Sequence, residues 1–307
     1  NDLIFFSKYL IFCKEIIKDS QKYVPEFLED IVEKGLSCIQ FIKTPDDQMP
    51  LFNGATSIKF NPIKKYLENY KVDNKNHFLG GLYKVKHKNH FLIIDIDKPP
   101  QKKFSSSYQS GPLSFEYFLD GVKVISNCGF GKDISKKAEL LSRVTACQST
   151  LTINDNSITK FETNEMINKV FGNSIKDSFK SFDLSSKNES DIIGCSATNN
   201  GYEKKFGCVH KREIYIDKNS NFLKGIDHIM KAKDGFPIRY AFRFHINPEL
   251  SVVKTMSGNS ALIQISKNKS LIFTIADGNL EIEKSIFFGE KKIIDSACIT
   301  ISGNLVN

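Results

Sequence analysis

The chain has 307 residues and a formal net charge of +8, because 43 lysines and arginines face 35 aspartates and glutamates. That length allows two domains or one large β domain. The sequence has no apolar run of the ~18 residues that span a membrane and no aromatic-and-basic nucleic-acid motif, so we expect neither a transmembrane segment nor a nucleic-acid partner. The positive charge suits an anionic polymer such as a uronate-rich glycan, although lysines scattered through loops are more typical of an ordinary solvated surface.

Two amphipathic helices are predicted at the start of the chain. Apolar residues recur at helical spacing from Leu3 to Ile17, and a second apolar stripe follows Pro25, a residue that favours the first turn of a helix. Two consecutive helices without partner helices indicate the end of a larger helical domain. Because the chain starts with Asn rather than Met and enters a helical pattern at once, we expect a fragment, in which a signal peptide can be neither found nor excluded.

Residues 51–80 are interpreted as a linker that contains a short helix at 61–70, and from Gly81 the apolar period changes to two. Besides a hairpin at 113–126, the predicted strands are 82–86, 90–95, 151–154, 158–162, 194–197, 206–216, 222–232, 239–246, 252–256, 261–266, 270–277, 281–288 and 297–302. Many evenly spaced strands without intervening helices predict a mostly β chain, with helices in 1–50 and a large antiparallel β-sandwich over 81–307. Residues 169–190 are polar and poorly periodic, so we expect a long surface loop there.

The hairpin is built around Asp120-Gly121, a two-residue turn of the kind that needs positive φ angles. In the register of this turn, Asn127 lies opposite Ser114. Three polar segments would then meet at the open end of the hairpin: 107–111, 127–131 and 145–150, the last as a neighbouring strand. Such a meeting of polar segments can build a site, although polar hairpin ends usually do no more than contact water.

Seven cysteines lie along the chain: Cys13, Cys38, Cys128, Cys147, Cys195, Cys208 and Cys298. The odd number and the absence of a Cys-x-x-Cys motif argue against a disulfide framework and against a cysteine zinc site. Most are expected to be small buried apolar residues. Cys128 and Cys147 lie in two of the converging segments, so a contact between them is possible, and a disulfide there is the minority interpretation.

Several short motifs occur in a characteristic order. They are Leu113-Ser114-Phe115-Glu116, Asn127-Cys128-Gly129, the run from Arg143 to Leu151, Asn200-Gly201-Tyr202 followed by Val209-His210-Lys211-Arg212, and Phe244-His245-Ile246-Asn247-Pro248. In this order they resemble the heparinase II/III-like family of polysaccharide lyases, over residues from about Leu51 to the end of the chain. The resemblance implies that the first helices are the tail of an α/α toroid. It also implies a periplasmic or envelope location, whereas the cysteines mildly favour a reducing compartment.

The resemblance also implies a site at the open end of the hairpin. In the family the toroid supplies a catalytic Tyr and a group that pins the uronate carboxyl, the hairpin loop supplies a His, and a His, Asp and His set holds a metal. Matching on residues 113–116 places the catalytic His position at Ser107 and the metal positions at Gln109, Asn127 and Gln148. Carboxamides are poor ligands for zinc, the metal expected in the family, so we predict no cofactor. These four residues are instead candidates for substrate binding, with the three amides forming a hydrogen-bonded network. The alternative is that this match to the family is displaced by one or two residues in the serine-rich loop, so that other residues would occupy these positions.

Three further residues are candidates for catalysis. Tyr108 is the only side chain in its loop able to act as a base, and an ordinary packed tyrosine is the alternative. Arg143 could bind a substrate carboxylate bidentately or form a structural salt bridge. His210 lies in a strand-like run, where a hydrogen-bonded sheet histidine is the competing interpretation.

The predicted function is that of a polysaccharide lyase that acts by β-elimination on an anionic, uronate-containing glycan. This chain would lack most of the helical catalytic domain. The alternative is a non-catalytic member of the family that binds an acidic glycan or has a structural role in the cell envelope. The loss of the His and metal ligands favours that alternative. The particular sugar and the oligomeric state are left open.

Overall fold

The structure is a computed structural model that describes residues 2–56, 63–69, 77–231 and 237–305. Its first part is helical, with α1 (Asp2–Asp19), α2 (Glu26–Ile42) and α3 (Lys64–Asn69). As expected, α2 begins directly after Pro25. The apolar faces of these helices share one core, to which Ile11, Val32 and Ile39 contribute. None of the described helices is both long and apolar enough to cross a bilayer. Residues 57–62 and 70–76, and with them parts of the predicted 61–70 helix, lie outside the described residues.

The rest of the chain is built mainly from strands. In chain order they are β1 (Phe78–Leu79), β2 (Leu82–His87), β3 (His90–Asp95), β4 (Phe115–Leu119), β5 (Val122–Ser126), β6 (Leu151–Ile153), β7 (Ser181–Asn188), β8 (Ile192–Asn199), β9 (Cys208–Asp217), β10 (Phe222–Lys231), β11 (Ile238–Ile246), β12 (Ser251–Lys254), β13 (Ser260–Ser266), β14 (Lys269–Thr274), β15 (Asn279–Phe288) and β16 (Ile293–Leu305). Three short helices interrupt them: α4 (Lys136–Leu141), α5 (Glu165–Phe171) and α6 (Glu203–Phe206).

The described strands form three sheets. The largest has the order β1-β2-β3-β4-β5-β11-β16-β15, with β6 also paired to β11, and the smaller ones are β10-β9-β8-β7 and β12-β13-β14. Neighbouring strands are antiparallel, and side chains from all three sheets meet in one apolar core, with Leu92, Ile214 and Ile263 among its members. The prediction of a mostly β chain with a large antiparallel sandwich is confirmed.

Phe52 of the linker covers part of the outer face of the largest sheet. Strand β3 is buried along its whole length, because Leu92 and Ile94 face the sandwich core while Phe91 and Ile93 face outward. Phe52 of the linker packs on this outward face. The helical segment is thereby held next to the open end of the β4–β5 hairpin. The assignment of 1–50 to a truncated toroid stays a prediction.

The structure corrects three strand and loop predictions. The predicted loop 169–190 contains the end of α5 and the edge strand β7, whose side chains are mostly exposed and so carry no apolar alternation. The predicted strand 158–162 makes only an isolated bridge between Phe161 and Ile175. Residues 145–150 form a tight 3-10 turn, Thr145–Cys147, that leads into β6 rather than a strand beside the hairpin.

The hairpin forms at the predicted turn but shifts register along its length. Asp120 and Gly121 both have positive φ angles, and Leu119 pairs with Val122 as expected. Phe118 still pairs with Lys123, but the pairing then slips by one residue at a β-bulge, so that Tyr117 faces Ile125. The predicted pairing of Asn127 with Ser114 is therefore wrong.

Candidate functional site

Two of the predicted amides meet at the end of helix α4. Gln109 Nε2 donates to the carbonyl oxygens of Gly129 and Ser142, both at 2.9 Å, and Gln148 Nε2 donates to the same Ser142 oxygen at 3.0 Å. Both side chains are buried. Because the last carbonyls of a helix have no partner within it, these two amides satisfy the negative end of α4. The 107–111 and 145–150 segments are joined through this one oxygen.

The third amide joins the linker to the same cluster. Asn127 Oδ1 accepts a hydrogen bond from the backbone N–H of Ser149 at 2.8 Å, and its Nδ2 donates to the Leu51 carbonyl at 3.3 Å. The Gly54 N–H in turn donates to Gln109 Oε1 at 3.1 Å. The described hydrogen bonds of the three amides thus run to backbone groups, whereas we expected the amides to bond to one another. The reason is that the converging loops present unpaired carbonyl and N–H groups that would otherwise stay unsatisfied.

The residues at the family's metal positions do not fit zinc. Both ends of Gln109 and of Asn127 are engaged with backbone groups, and the Gln148 amide nitrogen faces a carbonyl. Zinc requires imidazole, thiolate or carboxylate ligands instead. Within the described ranges, no group of three or more His, Cys, Asp or Glu residues is arranged to hold a metal ion. We therefore derive no chemical step that passes through a metal.

A polar pocket of about 420 Å³ lies beside the amide cluster. Its walls come from both parts of the chain, with Asn53 and Gly54 from the linker and Ser107 and Phe130 from the sandwich. The charged residues that line it are Lys132, Asp133 and Asp2. Of the predicted site residues, only Ser107 lines this pocket, while Gln109 lies directly behind Gly54. A polar cleft between two structural parts of a chain is a typical place for a hydrated ligand.

Tyr108 points away from the pocket into a small apolar cluster with Ile175 and Phe179. Its hydroxyl is buried and has no hydrogen-bond partner among the described residues. Burial, together with the nearby Asp95 and Asp97 carboxylates, raises the pKa of Tyr108 well above its usual value. In this position the phenol stays protonated at neutral pH.

Arg143 is fully buried and holds three backbone segments together. Its Nε donates to the Tyr108 carbonyl at 2.8 Å, Nη2 to that of Ser105 at 2.9 Å and Nη1 to that of Asn173 at 2.7 Å. The guanidinium also lies over the Phe161 ring, 4.0 Å from its centre. Burial lowers the pKa of Arg143 to about 10, so the side chain remains charged at neutral pH. Each of its three nitrogen atoms donates to a carbonyl oxygen, not to a carboxylate.

His210 lies on β9 inside the sandwich, where its Nε2 is 2.7 Å from Asp227 Oδ1. Burial lowers the pKa of His210, and Asp227 only partly offsets this. Two residues along the same strand face, Arg212 contacts both oxygens of Asp227 and donates to the carbonyls of Leu113 and Ser149 at 2.7 and 2.8 Å. The structure therefore separates His210 from the amide cluster and connects the two through Arg212. A direct catalytic role for Tyr108, Arg143 or His210 stays a prediction.

Sequence reasoning did not select Arg212, Asp227 or Asp95. Burial alone would raise the pKa of Asp227, but Arg212 and His210 outweigh it and hold that pKa well below the usual range. The spacing of His210 and Arg212 by two residues on a strand was a usable signal, because such residues share a face. The cross-strand pairing of Arg212 with Asp227 depends on a register that the sequence does not reveal.

Asp95 is a buried carboxyl next to the pocket. Among the described residues, its carboxyl receives two long hydrogen bonds, from Asn53 Nδ2 and from the Asp97 N–H, both at 3.4 Å. Burial raises the pKa of Asp95 to about 7. From the sequence, Asp95 was predicted only as the last residue of the strand 90–95.

Replacing Asp95 with asparagine is expected to raise the free energy of unfolding by up to about 4 kcal/mol near pH 8 and to change it little near pH 4. The folded state keeps a proton that the unfolded state releases above the ordinary pKa of 3.8. This group's favourable contribution is therefore lost as the pH rises from about 4 to 7, and asparagine copies the neutral form. Urea unfolding of both proteins across this range checks the expectation, which a pH-independent difference would contradict.

Comparison with known proteins identifies the family. Residues 75–305 match the model described as Heparinase II/III-like, C-terminal, which covers well over half of the chain. The chain belongs to the heparinase II/III-like family. The predicted resemblance is confirmed.

Solved structures share the fold of this heparinase II/III-like chain. The heparan sulfate lyase HepC from Pedobacter heparinus is 15% identical, with a TM-score of 0.74 over 99% of this chain and 49% of its own. A structure described as Heparinase III is 14% identical, with a TM-score of 0.73 over 99% of this chain and 50% of its own. The chain thus spans about half the length of these proteins. No curated protein matches its sequence.

Proposed function

We propose that this chain is part of a polysaccharide lyase that acts by β-elimination on an anionic, uronate-containing glycan. The polar pocket between the linker and the sandwich carries the proposal, because it brings Lys132 and Ser107 into one cleft, together with Asp2 and Asp133. Its relatives support the substrate class, since one is described as a heparan sulfate lyase. The chain would be the half of the enzyme that lacks most of the helical catalytic domain.

β-Elimination sets three requirements for the complete site. The proton leaves the carbon next to the uronate carboxylate, so that charge must be neutralised, a base must take the proton, and an acid must assist the departing oxygen. In our proposal Lys132 and Ser107 contact the glycan, and Gln109, Asn127 and Gln148 hold the loops that form this wall. The base comes from the helical domain, as the family resemblance implies. Tyr108, Arg143 and His210 are proposed to support the loops, because their polar groups are buried and mostly engaged.

A second function is favoured by the amide cluster. Three carboxamides at the family's metal positions fix the loops through backbone hydrogen bonds, so the fold no longer needs a cation or its ligands there. A member that binds an acidic glycan without cleaving it would retain the pocket and tolerate the loss of the catalytic His.

One experiment separates the two functions. The longer parent protein and the present chain are each incubated with a panel of uronate polysaccharides, while ultraviolet absorbance reports the unsaturated product. A lyase is expected to give product with the parent protein and none with this chain alone. Glycan binding by both proteins with no product from either would favour the binding function, and neither binding nor product would contradict both.

Replacing Lys132 with glutamate is expected to weaken binding of heparan sulfate by roughly 5- to 10-fold, because a like charge then faces the anionic chain in the pocket. Lys132 is exposed, so the fold should be unaffected. Titration calorimetry at low salt measures the affinity. Lys224→Glu is the matched control, since Lys224 is an exposed residue of β10 that does not line the pocket. Equal losses in both variants would show that only the overall charge matters.

A further inference from the structure

Two free cysteines lie side by side at the amide cluster. The Cys128 N–H donates to the Cys147 carbonyl at 3.0 Å, which places the two backbones next to each other. The two thiols interact with each other, and both side chains pack in one small cluster with Ala138 and Phe288. Natural disulfides span Cα separations of about 4.4–6.8 Å, a range that residues joined by such a backbone hydrogen bond commonly occupy.

The two thiols differ in their surroundings. Cys128 is buried, with its sulfur 3.3 Å from His245 Nδ1 and 3.9 Å from Ser285 Oγ. Cys147 is only half-buried. The Cys147 thiol donates to the Leu141 carbonyl at 3.2 Å. A half-exposed sulfur next to a buried partner thiol is the arrangement of an attacking and a resolving cysteine. The interaction with the Cys128 thiol lowers the pKa of Cys147, an effect that burial opposes and the charge of Arg243 supports, whereas burial raises the pKa of Cys128.

We propose that Cys128 and Cys147 form a reversible disulfide bond that cross-links the Asn127 segment to the Gln148 segment of the candidate site. The oxidant is a small disulfide such as oxidised glutathione. The Cys147 thiolate attacks one of its sulfurs, the S–S bond breaks, and one glutathione leaves as a thiolate. The released glutathione thiolate takes the proton of the Cys128 thiol. The Cys128 thiolate then attacks the Cys147 sulfur, and the second glutathione leaves as a thiolate. Two cysteine thiols are oxidised to one disulfide, and one glutathione disulfide is reduced to two thiols.

The bond would enclose the elements that organise the amide cluster. The loop between the two cysteines contains α4, the Ser142 carbonyl that receives both glutamine amides, and Arg143. Closing a loop of roughly 20 residues stabilises a protein mainly by restricting its unfolded state. The oxidised form is therefore expected to unfold at a temperature higher by about 5 °C or more. The proposal does not depend on lyase activity, and its test does not require a glycan.

The test is a redox titration of the intact chain. The protein is equilibrated in glutathione buffers from reducing to oxidising, quenched with acid, alkylated and digested with trypsin. The expected product is one cross-linked species that joins peptide 124–132 to peptide 144–160, together with a mass about 2 Da lower for the whole chain. Recovery of both peptides fully alkylated in the most oxidising buffer would overturn the proposal, as would glutathione attached to Cys147 without a cross-link.

Two variants complete the test. Cys147→Ser should abolish both the cross-link and the difference in melting temperature between oxidising and reducing buffer. Cys208→Ser is the matched control, because Cys208 is buried elsewhere in the sandwich, and it should retain both effects. A redox-dependent melting temperature that persists in Cys147→Ser would overturn the assignment to this pair. If a variant fails to fold, the titration of the unaltered chain decides by itself.

Discussion

Replacing Arg212 with methionine is expected to lower the free energy of unfolding by about 3–5 kcal/mol, because it leaves a buried carboxylate without its main partner. Arg212 is 1% exposed, contacts both oxygens of Asp227 and lies within 6 Å of the Phe115 and Phe244 ring centres. Its removal also deprives the Leu113 and Ser149 carbonyls of a donor. Urea unfolding followed by circular dichroism measures the loss.

The matched control is Arg239→Met. Arg239 also pairs with an aspartate, Asp155, but its side chain is 62% exposed, and exposed pairs contribute less than about 1 kcal/mol. A second variant isolates the ion pair, because Arg212→Met combined with Asp227→Leu should recover part of the loss by removing the stranded charge. Similar losses for Arg212→Met and Arg239→Met would contradict the expectation.

Replacing Arg143 with methionine is expected to cost about 3–4 kcal/mol of stability, since three charge-assisted hydrogen bonds to buried carbonyls disappear together. The effect should be local as well as global, because the lost bonds join Ser105, Tyr108 and Asn173. Hydrogen exchange should therefore rise most in residues 105–110 and 173–175. Unfolding in urea and exchange detected by mass spectrometry provide the two measurements.

Two variants calibrate this result. Arg143→Lys keeps the charge but lacks the planar fork, so it should lie between the methionine variant and the unaltered chain. Lys137→Met removes an exposed cation of the nearby helix α4 and should change stability by less than about 0.5 kcal/mol. An Arg143→Met protein that is as stable as the unaltered chain, or one whose exchange rises evenly along its length, would contradict the expectation.

The fold was largely predictable because most strands bury one face. Strand β9 alternates buried and partly exposed residues, and its sequence shows that period directly. The edge strand β7 exposes nearly all its residues, so nothing in its composition distinguished it from a loop. The hairpin turn was visible in Asp120-Gly121, but the bulge after Phe118 was not, since no residue type requires it.

The candidate site was predictable in its location and less so in its contacts. Motif order brought Gln109, Asn127 and Gln148 into one region, and the structure places them there. Their partners are backbone groups supplied by α4 and the linker, which sequence patterns do not specify. The burial of Arg143 and Arg212 could not be predicted either, because a buried arginine and an exposed one look alike in a sequence.

The attachment of the linker also has a consequence for the order in which the chain folds. The Leu51 N–H, the Gly54 N–H and the Leu51 carbonyl find their partners on side chains that lie 65, 55 and 76 residues further along. Ribosomes release the amino-terminal residues first, yet these groups find their partners only after residues 109–127 have been synthesised and have folded against them. Pulse-labelling of refolding protein should show the Leu51 and Gly54 amides gaining protection after those of Phe115–Leu119, and the reverse sequence of events would exclude this dependence. The folding of the linker onto the sandwich is thus limited by residues 109–127, which come later in the chain.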